Sequence, residues 1–332
     1  MRRAILATVI VFSFAAGIPL LADEAHSTKP KVPPGYMVEK AERREWSYGE
    51  IRVILHARKF RQGNAACIEI IPEKSITNEK ISCWYENRKI FITPTDWGFR
   101  GLFGIPPEEK PGGKKITVKI ESEERTAFNY FHFSIGDTRF PVYRRRLKLG
   151  KYSNLTYLKK PEVISFIRRS TAKKKKAFSQ LGPDMLDSSL AHPRNRHYIT
   201  SPFWAKRLYY RFKIKHGKRI PVKPKVNIHR GLDLRGKRGE PVFAIASGRV
   251  VLAEELFYEG NFTVIDHGNR VFSYYMHQDS IAVRLGQKVH GGELIGSVGS
   301  TGISTAAHLH VSLIINGVQV DPLSILPIPI RE

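Results

Sequence analysis

The chain has 332 residues, of which 42% are hydrophobic and 26% charged, and its formal net charge is +25 at pH 7. This length is enough for two domains. Beyond the N-terminal region no apolar stretch is long enough for a transmembrane helix, which excludes several helical spans. A strongly positive net charge often indicates a nucleic-acid partner. An export signal at the N-terminus argues against that partner.

The N-terminus predicts export. A basic start, MRR, precedes an apolar run over residues 4–22, and a polar region follows. This order is typical of a secretory signal peptide over residues 1–22, with cleavage after Ala22. The alternative is an uncleaved membrane anchor, because about 19 apolar residues are marginally long enough to span, but residues 17–19 interrupt the run. We therefore expect the chain in the periplasm or cell envelope, or secreted.

Export also limits the partners of the basic charge. Outside the cytoplasm the available polyanions are cell-wall glycopeptides, lipopolysaccharide, teichoic acids and anionic lipid surfaces. We expect the charge to hold the chain on such envelope polymers or on a lipid surface, and we expect no nucleic-acid partner. The alternative is that the charge only confers solubility.

The first third of the mature chain predicts a β-rich domain. Residues 23–36 are polar and proline-rich, as in a tether. Residues 37–143 carry six short alternating runs with turns between them, which predict a β-sandwich-like domain without a catalytic constellation. The runs cover residues 51–57, 66–72, 80–86, 89–94, 114–120 and 128–135.

The chain has two cysteines, Cys67 and Cys83, both in this domain and neither in a Cys-x-x-Cys pair. In an exported chain this favours a disulfide between them. Two buried thiols are the alternative.

The segment over residues 144–200 is strongly basic and reads as a linker. Pro161-Glu162 is a good helix start, and apolar residues follow at helical spacing, so we predict one helix over residues 161–180. The lysine run over residues 173–176 either contacts an anionic surface or belongs to a solvated connecting helix.

Residues 201–326 predict a second, glycine-rich antiparallel β domain. Thirteen of the 26 glycines fall between His229 and Pro322, which favours tight turns between short strands. Strands are predicted over residues 241–252, 261–266, 270–277, 293–298 and 308–315. The fold class is therefore mainly β, and an extended peptide could lie in an open groove as an added strand.

Three segments of this domain concentrate groups suited to a metal: NIHRGLD (227–233), YYMH (274–277) and AAHLH (306–310). Three ligands drawn from His and carboxylate, with an open position for water, are typical of a catalytic zinc. His308 and His310 share one face of a predicted strand, about 6.6 Å apart, so one is expected to bind and the other to stand beside the water. His229 and Asp233 would be about 13 Å apart on a straight strand, so a bend at Gly231 is predicted.

These segments, with the glycine-rich stretch GQKVHGGELIGSVGSTG between them, resemble the lysostaphin-type (LytM-like) zinc endopeptidases from residue 201 to residue 326. The resemblance implies a peptidoglycan hydrolase that holds one zinc per chain. It further implies that the ligands are His229, Asp233 and His310. Two positions depart from the family pattern: Arg230 replaces a small residue, and Ala306-Ala307 replaces Gly-Pro. Neither departure removes a ligand.

The two remaining imidazoles, His277 and His308, are the predicted catalytic residues. We expect His308 to act as the base on the attacking water and His277 to contact the oxyanion, although the two roles could be exchanged. The predicted function is a zinc-dependent endopeptidase acting on peptidoglycan stem peptides or cross-links. The alternatives are a catalytically inactive LytM-like regulator of cell-wall amidases and an envelope-binding module.

Overall fold

The structure is a computed structural model that describes residues 32–73 and 80–330. The signal peptide predicted at residues 1–22 lies outside the described residues, as do residues 23–31 of the predicted tether. Within the described part, no helix is both long and apolar enough to cross a membrane. The chain is mainly β, as the sequence predicts.

The N-terminal part is a sandwich of two antiparallel sheets. Its strands are β1 (Glu42–Tyr48), β2 (Ile51–Ala57), β3 (Ala65–Pro72), β4 (Lys80–Tyr85), β5 (Arg88–Ile90), β6 (Ile92–Thr95), β7 (Gly98–Gly104), β8 (Gly112–Glu121) and β9 (Thr126–Ile135). One sheet has the order β1-β2-β3-β7-β6 and the other β5-β4-β8-β9. Their inward side chains, such as Ile68 and Val118, close one apolar core.

Five of the six predicted runs of this domain are single strands, and the run at 89–94 is divided between β5 and β6, which lie in different sheets. The strands β1 and β7 were not predicted. β1 reads ERREWSY and is largely exposed, so it carries no hydrophobic alternation. β7 contains three glycines, and glycine is usually depleted in strands. Close packing explains one of them, because a Cβ on Gly101 would lie 2.7 Å from the carbonyl oxygen of Phe91.

The predicted disulfide between Cys67 and Cys83 is wrong. Both cysteines are buried and the structure does not join them. Cys67 packs into the core of the C-terminal domain, while its strand neighbours Ala66 and Ile68 face the sandwich interior, where Cys83 lies. The two thiols therefore lie on opposite sides of the first sheet, whereas a disulfide needs Cβ atoms about 4 Å apart. Strand alternation places one cysteine on each face, which the spacing of 67 and 83 does not reveal.

The basic segment contains one α-helix, α1 (Pro161–Phe178), within two residues of the predicted bounds. Its side chains at Val163, Ser170 and Ala177 are buried, which is a seven-residue spacing along one face. Two lysines of this helix are engaged within the molecule, because Lys173 pairs with Glu254 and Lys174 pairs with Glu259. Short 3-10 helices precede it at Gly150–Ser153 and Tyr157–Lys159.

The C-terminal domain is built on one large antiparallel sheet. Its strands are β11 (Ile199–Ser201), β14 (Leu232–Arg235), β16 (Gly248–Leu256), β17 (Gly260–Asp266), β18 (Val271–Gln278), β19 (Lys288–Val289), β21 (His308–Ile315) and β22 (Val318–Val320). The order is β11-β14-β21-β18-β17-β16-β19, with β22 paired to β21. A separate pair joins β15 (Pro241–Phe243) and β20 (Leu294–Ser297). The predicted strands are present, except that the run at 241–252 is split in two.

The described residues form one more sheet, which was not predicted from the sequence. It contains β10 (Val142–Leu147), β12 (Lys206–Lys215) and β13 (Lys218–Ile228), in the order β10-β12-β13. β12 and β13 form a long antiparallel hairpin, and β10 pairs with β12 in parallel. We call it the basic sheet. The sequence did not predict these strands because lysine and arginine interrupt most of the apolar alternation that indicates a strand.

The two domains share a core. Ala65, Cys67 and Leu102 of the first domain pack in one apolar cluster with the end of the second, including residues of the 3-10 helix Pro322–Ile325. Two ion pairs border this contact: Arg58–Asp321 at 2.6 Å, and Arg100–Asp184 at 2.8 Å. The catalytic domain predicted at 201–326 is therefore supported from one side by the first sheet of the sandwich.

Candidate metal centre

Strand register brings the three predicted segments together. β14 and β21 are antiparallel neighbours in which Asp233 lies directly opposite His310. β21 also pairs with β18, where Met276 lies opposite His310 and His277 is the next residue. The sheet thus places segments that are far apart in sequence next to one another at one site.

His229 enters from the end of the basic sheet. It follows β13 directly and is fixed by two backbone hydrogen bonds: its N–H donates to Ala205 at 2.9 Å, and its carbonyl accepts from Trp204 at 2.8 Å. The chain then bends at Gly231, as predicted, before β14 begins. A Cβ at Gly231 would lie 2.5 Å from Nε2 of His310, so only glycine fits this bend.

Three donor atoms converge at this point. Nε2 of His229, Oδ1 of Asp233 and Nδ1 of His310 lie 2.9 Å from one another in all three pairs. All three residues are buried. Four ligands around zinc at about 2.0 Å would be about 3.3 Å apart, so the triangle is slightly contracted but has the shape and donor chemistry of a metal site. Among the described residues, these three side chains form the cluster whose donor atoms lie close enough together to hold one metal ion.

The far side of each donor residue is also held in place. Nδ1–H of His229 donates to the carbonyl of Pro202 at 2.9 Å, and Nε2 of His310 lies 3.0 Å from Oγ of Ser312. Arg207, on β12, donates to Oδ2 of Asp233 at 2.7 Å. Such contacts orient ligands, and the carbonyl of Pro202, which can only accept, selects the His229 tautomer that leaves its Nε2 unprotonated.

Electrostatics favour the ligand forms of these groups. Burial alone would raise the pKa of Asp233, but the imidazoles of His229 and His310 outweigh it and hold that pKa well below its ordinary value. Burial lowers the pKa of His310 to about 4. At neutral pH the site therefore presents a carboxylate and a neutral imidazole, the protonation states that a metal requires.

The two spare imidazoles flank the triangle. The ring centroid of His277 lies 5.0 Å from that of His308 and 6.1 Å from that of His310. Nε2 of His308 lies 3.6 Å from Oδ1 of Asp233. The structure thus brings all five predicted residues into one site.

Both spare imidazoles have the same fixed tautomer. Nδ1–H of His277 donates to the carbonyl of Thr301 at 2.8 Å, and Nδ1–H of His308 donates to that of Ala306 at 2.7 Å. Each neutral ring therefore presents Nε2 as an acceptor. Burial, followed by the neighbouring rings of His308 and His310, lowers the pKa of His277 to about 3.

The backbone at His277 has an unusual conformation. Its φ is 63°, a left-handed value that is uncommon for a residue with a side chain. The N–H of His277 donates to the carbonyl of Glu259 at 2.9 Å, which holds this turn at the end of β18. Strained positions of this kind cluster at functional sites.

Three residues of the site were not predicted from the sequence: Arg207, Pro202 and Ser312. Ser312 could have been found, because it lies two residues beyond His310 on the same strand face. Arg207 could not, since its strand was not predicted. His267 belongs to a separate buried network, in which its Nδ1–H donates to Ser247 at 2.7 Å and its Nε2 lies 2.9 Å from Oγ of Ser273.

Comparison with known proteins agrees with this geometry. The family model described as peptidase family M23 matches residues 227–322, which include all five site residues. The chain is 42% identical over 96 residues to lipoprotein NlpD of Yersinia enterocolitica, a match that covers 29% of this chain and 98% of that sequence. The fold and the site define a domain of the metallopeptidase type, and the chain belongs to peptidase family M23.

Two further likenesses differ in how much of each chain they cover. The chain is 41% identical over 103 residues to peptidoglycan DD-endopeptidase ShyA of Vibrio cholerae, covering 31% of this chain but only 24% of ShyA. A crystal structure assigned to peptidase M23 from Pseudomonas aeruginosa matches the fold with a TM-score of 0.53 and 24% identity, over 81% of this chain and 95% of that one. The second likeness extends the shared fold beyond the M23 segment.

Proposed function

We propose that this chain is a zinc-dependent endopeptidase that hydrolyses peptide bonds in peptidoglycan stem peptides or cross-links at the cell envelope. In this proposal residues 201–326 form the catalytic domain, and residues 37–143 form a supporting β domain joined to it by the basic segment 144–200. The observation that carries the proposal is the triangle of His229, Asp233 and His310 beside two acceptor imidazoles. The name of the relative ShyA supports the substrate class.

The residues of the site would share the chemistry as follows. A zinc ion held by His229, Asp233 and His310 would supply Lewis acidity toward water and the scissile carbonyl. His308 remains our choice for the base, because its side chain is 15% exposed and its Nε2 is available to accept a proton. The imidazolium so formed can return that proton to the leaving amine.

A hydrogen bond to Thr301 limits when His277 can contact an oxyanion. Its Nδ1–H is committed to Thr301, so it can donate to an oxyanion only after Nε2 has also gained a proton. Its depressed pKa keeps it neutral before reaction. Because His308 takes the proton of the attacking water, the oxyanion role of His277 would require a second proton, supplied by solvent; without that proton its Nε2 can only accept a hydrogen bond.

The test separates metal binding from turnover. His310→Ala should lose both zinc and peptide release from purified sacculi, because two ligands hold zinc poorly. His277→Ala and His308→Ala should keep zinc and the fold, while turnover falls by about 10² or more. Mass spectrometry of the released fragments identifies the bond that is cut.

Two outcomes would contradict the proposal. Near-wild-type turnover in both spare-imidazole variants would remove their catalytic role. A wild-type protein that holds zinc but releases nothing from any type of cell wall would favour the inactive regulator or the envelope-binding module. The presence of all five residues argues against the inactive regulator.

A further inference from the structure

The basic sheet concentrates positive charge without an internal counter-charge. Its three strands contain twelve lysines and arginines in 27 residues and no aspartate or glutamate. Ten of the twelve are exposed, and Arg207 and Arg211 are partly buried. Among residues 32–73 and 80–330, the carboxylate found paired with this sheet is that of Asp233, which binds Arg207. Among the described residues, the salt bridges give the other eleven basic residues of this sheet no carboxylate partner.

Helix α1 differs in this respect. Two of its four consecutive lysines, Lys173 and Lys174, already pair with carboxylates of the C-terminal domain. One face of the helix is buried as well. Two of these four lysines are therefore neutralised within the molecule, whereas one of the twelve basic residues of the basic sheet, Arg207, is paired with a carboxylate.

The tip of the hairpin places like charges opposite each other. Lys215 and Lys218 are direct partners in the β12–β13 register, and both are exposed. Like charges directly opposite each other destabilise a strand pair. An anionic partner outside the chain would relieve this repulsion, so the arrangement fits a surface built for such a partner.

Exposed apolar side chains are interspersed with this charge. Val142 is 63% exposed, Val226 59% and Ile220 46%. Ile220 lies directly opposite Lys213 in the hairpin, so a basic and an apolar side chain share one face there. A soluble polyanion requires only the charge. Lysine and arginine combined with exposed aliphatic groups match the interface of an anionic bilayer, where headgroups meet acyl chains.

We propose that the basic sheet docks on the anionic phosphate headgroups of a lipid bilayer. β13 ends at Ile228, one residue before His229, so docking would hold the metal centre close to the bound surface. Binding is measured without turnover, so its result is independent of whether the chain is a hydrolase.

The experiment is sedimentation of the whole chain with vesicles of phosphatidylcholine, with and without about a third phosphatidylglycerol. The variant Lys213→Glu/Lys215→Glu/Lys218→Glu removes charge from the hairpin tip. The matched control, Arg168→Glu/Lys175→Glu/Lys176→Glu, makes the same change in net charge on helix α1. Every variant keeps the same N-terminus, so any contribution of its apolar run is common to all.

Each basic residue near an anionic surface contributes about 1 kcal/mol, so the hairpin variant should bind anionic vesicles about 100-fold or more weakly. The helix variant should stay within a few-fold of wild type. Equal losses in the two variants, or no loss in the hairpin variant, would overturn the proposal.

A third variant distinguishes lipid from soluble polymer. Ile220→Ser/Val226→Ser should weaken binding to anionic vesicles while leaving binding to polyphosphate chains unchanged. If this variant binds vesicles as wild type does, and the hairpin variant loses polyphosphate and vesicles equally, the surface serves a soluble polyanion and the lipid proposal is overturned.

Discussion

The hydrogen bond between His310 and Ser312 should control zinc affinity. Nε2 of His310 lies 3.0 Å from Oγ of Ser312, a serine with no exposed surface. When the serine hydroxyl accepts from Nε2–H of His310, the proton of the neutral ring lies on Nε2 and Nδ1 is left open for metal. Without the serine, the proton is better placed on Nδ1, where it can be donated to Oδ1 of Asp233 at 2.9 Å. That tautomer competes with zinc.

The size of the effect follows from the lost bond. A buried hydrogen bond of this kind contributes about 1 kcal/mol, and leaving its partner unsatisfied costs about 1–3 kcal/mol. Since 1.4 kcal/mol is tenfold in affinity, Ser312→Ala should weaken zinc binding by about 10-fold to 100-fold, the range typical of contacts that orient a ligand. Competition against a chromophoric chelator measures the affinity directly.

The chain offers a matched control in Ser273→Ala. Ser273 is equally buried and lies 2.9 Å from Nε2 of His267, which is not a predicted ligand. Both variants should lower the free energy of unfolding of the apo protein by similar amounts, but only Ser312→Ala should lower zinc affinity. Unchanged zinc affinity in Ser312→Ala, or an equal fall in Ser273→Ala, would refute the tautomer argument.

Three further predictions concern the fold. Cys67 and Cys83 should both resist thiol reagents in the native protein and both react in denaturant without a reductant; a mass two hydrogens lower before reduction would reveal a disulfide instead. Burial lowers the pKa of His267 to about 4 from 6.5, so the unfolded state gains protons first and stability should fall as pH drops from 6.5 to 4. His267→Gln should flatten that dependence of the melting temperature, and an unchanged slope would contradict it. Ile325, fully buried in the shared core, should cost about 2–5 kcal/mol when replaced by Ala, and chemical denaturation should still show one transition; separate transitions would argue against a shared core.

Hydrogen bonds at the contact between the two domains help to support the site. The backbone N–H of Asp321 donates to Gly63 of the first domain at 2.7 Å, and Oγ of Ser324 accepts from Ala65 at 2.8 Å. β22, which precedes these residues, pairs with β21, the strand that carries His308 and His310. The sandwich therefore supports the strand that carries these two histidines through this connection.

The sequence by itself determined most of the local structure and the identity of the site. Alternating runs produce strands such as β2 and β8 wherever a pleated strand can bury one face, and Pro161 starts α1 because its ring suits the first turn of a helix. The His and Asp side chains of NIHRGLD and AAHLH are donor types that bind zinc. Their type and order therefore sufficed to indicate a metal site.

Only the tertiary structure decided which atoms meet. Sequence separation carries no information on sheet order, so the placement of Asp233 opposite His310 depends on the pairing of β14 with β21. For the same reason Cys67 and Cys83 lie on opposite sides of a sheet, although both strands were predicted. Arg207 reaches Asp233 from a hairpin whose charge hides its strand pattern. Contacts between distant segments arise from the way whole sheets pack, and that packing depends on many residues at once rather than on any local pattern.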